Sequence, residues 1–148
     1  WFRYSYYRIS SLKKMKYFAQ LDKITNVVTN IIVLADSDCL VGSAHSEAVG
    51  AYHAQFKLGG NWKEYSPTGE FRNRPAQIGG YYDESIDSFV DKKSDGYDSW
   101  TTNATGEWTP PSPPGNVGIA TTAGWTYHWN ETKYKADPNT AWEWINYS

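Results

Sequence analysis

The sequence predicts an α+β fold, mostly β: an N-terminal β-hairpin plus one helix, followed by a series of short aromatic β-hairpins. Three observations carry this prediction. Residues 16–35 are β-branched and aromatic runs broken by Asp and Asn, as a hairpin requires. Only residues 46–58 repeat apolar side chains at helical spacing. From Asn61 onward, aromatic pairs alternate with short polar turns.

Each element follows from local chemistry. Residues 17–21 and 27–34 form the strands of the first hairpin, and residues 22–26 its turn. The second strand is apolar on both faces near its end, which places it inside the sheet. Residues 36–45 read as a loop. Ser46 suits a helix N-cap, and Glu47 falls in the first turn, where the helix dipole favours an acid. Val49, Tyr52, His53 and Phe56 define one apolar helix face, and Gly59-Gly60 ends the helix. No other helix is expected. Residues 61–65 form a strand. Tyr81-Tyr82 and Phe89-Val90 flank a turn at 83–87, and residues 99–102 and 107–109 flank another at 103–106. The proline-rich residues 110–114 read as an extended linker. Trp125, Tyr127 and Trp129 alternate, as do Trp142 and Trp144, with turn-like stretches at 130–133 and 137–140 between them.

The chain thus divides into an extension or arm (1–14), a compact hairpin–helix unit (15–80) and an aromatic hairpin extension (81–148). Residues 1–14 are aromatic and basic, and the folded unit is expected to begin near Met15, the only Met. Isolated hairpins are marginally stable, so the extension needs either its own packing or a neighbouring protein. Six of the eight Trp lie at or after position 100, and rings provide rigid contact area at low entropic cost. The net charge of −2 divides unevenly, +4 over residues 1–75 and −6 over 76–148. That suits a solvated surface or head-to-tail contact between copies.

No residue spacing points to catalysis. His45, His53 and His128 stand apart from any metal-ligand pattern, and His53 reads as a packed ring on the helix face. Cys39 is the only cysteine and reads as a small buried apolar residue; a Cys39–His45 nucleophile–base pair lacks any activating context. Asp83, Glu84, Asp87, Asp91, Asp95 and Asp98 lack the spacing of a calcium loop and read as solvated turn carboxylates. Gly79-Gly80 lacks the residues of a phosphate cradle. Three triplets beginning at Asn103, Asn130 and Asn146 match the glycosylation pattern by chance in Asn/Thr-rich turns. Arg72, Arg74, Lys13, Lys14 and Lys16 do not make a nucleic-acid interface in a chain this close to neutral. No apolar run is long enough to span a membrane. No enzymatic activity, cofactor or metal is expected.

The order of motifs resembles a family of virion proteins of marine phages. The resemblance opens with Met15-Lys-Tyr-Phe18-Ala19-Gln-Leu21-Asp22 and the Val/Ile-rich residues 27–34. It continues through Glu47-Ala-Val-Gly50, Gly59-Gly60-Asn-Trp62, Phe71-Arg72, Ala76-Gln-Ile78-Gly79 and Tyr82-Asp83. Phe89-Val90, Ser99-Trp100, Trp108-Thr-Pro110-Pro111 and the Trp-rich residues 125–144 complete it. The chain departs from the family at the helix, where members often carry Cys and this chain has His53 and Ala54, and at Pro75-Ala76, where members have Tyr-Ala. The resemblance implies a non-enzymatic structural protein of the virion, a tail or neck fibre or a capsid-decorating component. Its expected partners are other virion proteins (capsid, neck or tail) and further copies of itself. The expected interface residues are Trp100, Trp108, Trp125, Trp129, Trp142 and Trp144. The alternative is a carbohydrate-binding host-receptor module that presents exposed Trp and Tyr to a surface glycan.

Overall fold

The computed structural model describes residues 14–112 and 124–147. Residues 1–13 of the expected arm, Pro113 and Pro114 of the linker, and Ser148 lie outside that range. Among the described residues strand outweighs helix, 37% against 20%, and the strands form one three-stranded and four two-stranded sheets. The α+β, mostly β class is therefore correct.

β1 (Met15–Leu21) and β2 (Val28–Ala35) form the first hairpin. Its turn is held by Asp22, whose carboxylate accepts the N–H groups of Ile24 and Thr25 and the Thr25 hydroxyl. The expected loop over 36–45 is more ordered than its composition implies. Asp36–Cys39 make a 3₁₀ turn, and β3 (Leu40–Val41) pairs with β4 (Ala44–His45) across Gly42, whose φ of 62° supplies the reversal. Helix α1 (Glu47–Leu58) begins at Ser46, whose hydroxyl accepts the Val49 N–H, and ends at Gly59 with φ 70°. β5 (Asn61–Tyr65) then pairs with β1, which makes the sheet order β2-β1-β5.

The strand β2 is an edge strand, not an interior one. It is apolar on both faces because both faces of the sheet are covered. Phe18, Ile32, Leu34 and Trp62 face α1, where Cys39, Ala51 and Ala54 join them in one core cluster. Tyr17, Ala19, Leu21, Ile31 and Tyr65 face the opposite side. There they pack against Tyr82 of β6 (Tyr81–Asp83) and Phe89 of β7 (Ser88–Val90), so the core continues past residue 80. The outer edge of β2 is partly covered. Gly80 accepts the Val28 N–H and Gly79 donates to the Val28 carbonyl. Further along, Ile31, Val33 and Ala35 turn their peptide groups to the edge that no described strand pairs, since Ile32 and Leu34 take the pairing positions on β1. The Ile31 N–H is taken by the side-chain oxygen of Asn30 at 2.9 Å.

The helix also packs on a different face from the one expected. Gly50 and Ala54 are buried against the sheet, whereas Tyr52 is 63% and Phe56 79% exposed. His53 is half-buried beside Tyr52. The smallest side chains let the helix come closest, and a Cβ built on Gly50 would lie 2.4 Å from Phe18 Cζ. Periodicity records hydrophobicity, and here size decides.

The remaining elements are short. β8 (Thr101–Thr102) pairs with β9 (Trp108–Thr109), and β10 (Trp125–Trp129) pairs with β11 (Trp142–Asn146). A second helix, α2 (Glu131–Ala136), replaces the turn expected at 130–133. Asn130 caps it by accepting the Lys133 N–H, and Lys133 and Lys135 in its last turn complement the dipole.

Candidate functional site

The C-terminal ribbon arranges its rings by strand pairing. Trp129 is opposite Trp142, Tyr127 opposite Trp144, and Trp125 opposite Asn146. Opposed residues share a face and successive residues alternate, so all five rings lie on one face of β10 and β11. The stripe is graded. At one end Trp129 is 3% exposed and meets Trp142 edge-on at 5.4 Å. Trp100 closes this cluster, 5.8 Å from Trp129 and 6.3 Å from Trp142. In the middle Tyr127 and Trp144 stand 3.9 Å apart. At the far end Trp125 is 41% and Trp144 40% exposed, while Tyr147, paired with Gly124 one residue past Asn146, falls on the opposite face.

The buried end is fixed by Glu131. Its carboxylate accepts the Trp129 indole N–H at 2.8 Å, the Ser99 backbone N–H at 3.1 Å and the Ser99 hydroxyl. Burial works to raise the Glu131 carboxyl, but the Ser99 and Trp129 hydrogen bonds outweigh it and hold the group below its usual range. One acid thus ties the 97–100 turn to the last ribbon. Among the expected interface residues, Trp100, Trp129 and Trp142 shield one another within the chain. Trp108 is half-buried, with its indole N–H on the Asp91 carbonyl. Trp125 and Trp144 present ring surface to solvent.

A second cluster was not visible in the sequence. Arg72 is 11% exposed and uses four of its five N–H donors. Two meet the Glu47 carboxylate, both at 2.9 Å. One meets the Glu64 carbonyl at 2.6 Å and one the Asp87 carboxylate at 2.9 Å. The Tyr82 hydroxyl donates to the same Asp87 oxygen at 2.5 Å. The other Glu47 role is to accept the Glu64 N–H. Glu64 is 4% exposed, and its carboxylate lies 2.7 Å from His45 Nε2. Arg72 therefore joins α1, β5 and the β6–β7 hairpin at one point. Burial opposes the Glu47 charge, and the Arg72 fork and the Glu64 N–H outweigh it, so Glu47 titrates low. The Tyr82 bond and then Arg72 hold Asp87 low as well. Burial and the bond to Asp87 push Tyr82 up to about 12.

The acidic series is only in part what its composition suggests. Asp83 is a turn carboxylate, accepting from Ser85. Asp87, Asp91 and Asp98 are not free turn charges: they pair with Arg72, Arg74 and Lys135. Cations some fifteen to forty residues away in sequence supply these partners, so no local pattern announces them. Arg72 and Arg74 are thereby used internally. Cys39 is fully buried with its thiol toward the Ala35 carbonyl, while His45 turns to Glu64. Among the described residues, no group of three or more His, Cys, Asp or Glu could hold a metal ion, and no helix is long and apolar enough to cross a membrane. No known protein family, curated protein or solved structure matches the chain.

Proposed function

We propose that the chain is a non-enzymatic structural component of a bacteriophage particle, a tail or neck fibre or capsid-decorating protein, that acts through protein–protein interfaces. One observation carries this reading: the open end of the aromatic stripe, where Trp125 and Trp144 expose ring surface on an ordered ribbon. The buried end is fixed by Trp100, Trp129, Trp142 and Glu131, so the exposed rings are held in place before a partner arrives. Preorganised aromatic area of this kind suits the core of an interface. The polar cluster supports a structural role, because Arg72 spends its donors on joining three elements. The ordered motifs between Met15 and Trp144 support the assignment to a phage particle.

The test has two arms. Mass spectrometry of density-purified particles should detect the chain, and light scattering should show the purified protein associating with itself or with particle proteins. The Trp125→Ser/Trp144→Ser variant should keep the circular dichroism of the parent and lose the association. A chain absent from particles, or a double variant that associates unchanged, would overturn the reading.

A further inference from the structure

A pocket in the aromatic extension is built from residues that the stripe does not use at its open end. Residues 91–94, Tyr97, Trp100 and Trp108 line an open hollow of about 330 Å³, which is enough for a small ligand. Its walls are fixed. The Trp108 indole N–H donates to the Asp91 carbonyl at 2.8 Å, and the Tyr97 and Trp100 rings meet at 88° with centroids 4.9 Å apart. Lys93 is committed to the structure. Its ammonium lies 4.5 Å from the Trp108 ring centroid and donates to the Asp98 and Trp100 carbonyls. The Asp91 carboxylate is neutralised by Arg74 at 3.1 Å.

Two groups in the wall remain unspent among the described residues. Lys92 and the Ser94 hydroxyl have no polar partner among the described residues. The indole N–H of Trp100 is itself buried and has no acceptor among the described residues. The pocket therefore combines ring walls, a hydroxyl and an ammonium that pairs with no acid among the described residues.

We propose that this pocket binds a carboxylated pyranose, the uronic-acid unit of an acidic glycan. A flat heteroaromatic ligand can lie face-on to only one of Tyr97 and Trp100, which stand at right angles. A pyranose carries C–H groups on its faces and hydroxyls around its rim, so it can contact both walls at once and exchange hydrogen bonds with Ser94. Its carboxylate complements Lys92. Trp125, Tyr127 and Trp144 do not line the pocket, so the inference stands or falls separately from the particle interface.

The experiment is an NMR titration of the whole ¹⁵N-labelled chain with D-glucuronate, D-galacturonate, D-glucose and adenosine monophosphate. At least one uronate should shift the Trp108 and Trp100 indole resonances saturably in the millimolar range, with glucose weaker. Lys92 is exposed and has no polar partner among the described residues, so Lys92→Gln should keep the fold. It should weaken uronate binding about threefold, as loss of an exposed ion pair implies, and leave glucose unchanged. The inference is overturned if neither uronate shifts the indoles, if the nucleotide binds in their place, or if Lys92→Gln leaves uronate affinity unaltered.

Discussion

Gly50→Ala sets two effects against each other inside α1, and the structure decides which wins. Alanine is the better helix former by about 0.8–1.0 kcal/mol, so propensity alone predicts a more stable protein. The added methyl, however, would lie 2.4 and 2.9 Å from two atoms of the Phe18 ring and 2.8 Å from Cys39 Sγ. Phe18 and Cys39 are both 0% exposed, and Phe18 sits on the central strand, so neither side chain can swing aside. Overpacking of this kind costs about 1–3 kcal/mol. Three contacts under 3.0 Å place the cost toward the upper end, for a net loss of about 1–2 kcal/mol. For a chain of this size that is a fall in Tm of about 3–6 °C. Urea unfolding followed by tryptophan fluorescence should show a lower midpoint at unchanged slope. In a Phe18→Leu background the ring is gone, and the same substitution should cost less, with a coupling of at least about 0.5 kcal/mol. A Gly50→Ala midpoint at or above the parent's would refute the close-packing argument and show that propensity governs this position.

Four further outcomes follow from the polar cluster and the core. Arg72→Met strands Glu47 and Asp87 together and should cost about 2–3 kcal/mol, less than a fully buried pair because both acids are partly exposed; equilibrium unfolding measures it. Glu47 and Asp87 titrate low in the folded state, so their contribution is complete above about pH 4.5 and is lost as the pH falls through their lowered values. Arg72→Met should flatten this acid limb, and a limb of unchanged steepness would count against the cluster. Tyr82 is raised to about 12 in the folded state, so its contribution is complete below pH ~10 and is lost as the pH rises toward 12; Tyr82→Phe should remove that loss in stability measured across the alkaline range. Burial pushes the Cys39 thiol up, and its alkylation by iodoacetamide should track unfolding; rapid labelling of the native protein would contradict its burial.

The sequence was informative where neighbours along the chain decide the structure. The hairpin joining β1 and β2, the helix between Ser46 and Gly59, and the turns at 83–87 and 103–106 all carry their own capping or turn residues. The alternation of Trp125, Tyr127 and Trp129 also survives as a real strand face. What stayed hidden depends on contacts distant in sequence. β2 looked interior because a helix and a hairpin cover the two faces of its sheet, a fact no property of residues 27–34 contains. The helix face was misread because Gly50 and Ala54 are chosen for size. Arg72 lies 25 residues from Glu47 and 15 from Asp87, and it looked like one more surface cation. The one available signal for α2 was Asn130 three residues before Lys133, with a second lysine at 135, and it was outweighed by turn-forming composition. The stripe was legible as a set of tryptophans, but its division into a buried and an open end came only from Trp100 and Glu131.

The side chain of Asn30, resting on the Ile31 N–H, bears on how the protein behaves when crowded. Residues 31–35 read Ile-Ile-Val-Leu-Ala, a segment with the composition of an aggregation nucleus, and they border a sheet edge that no strand among the described residues covers. A foreign strand that tries to extend the sheet there meets a donor that is already satisfied, and must first displace an amide bonded to its own neighbour. Gly79 and Gly80 guard the start of the same edge. Together they leave only a short stretch of template, which favours solubility at high local concentration over runaway growth of the sheet.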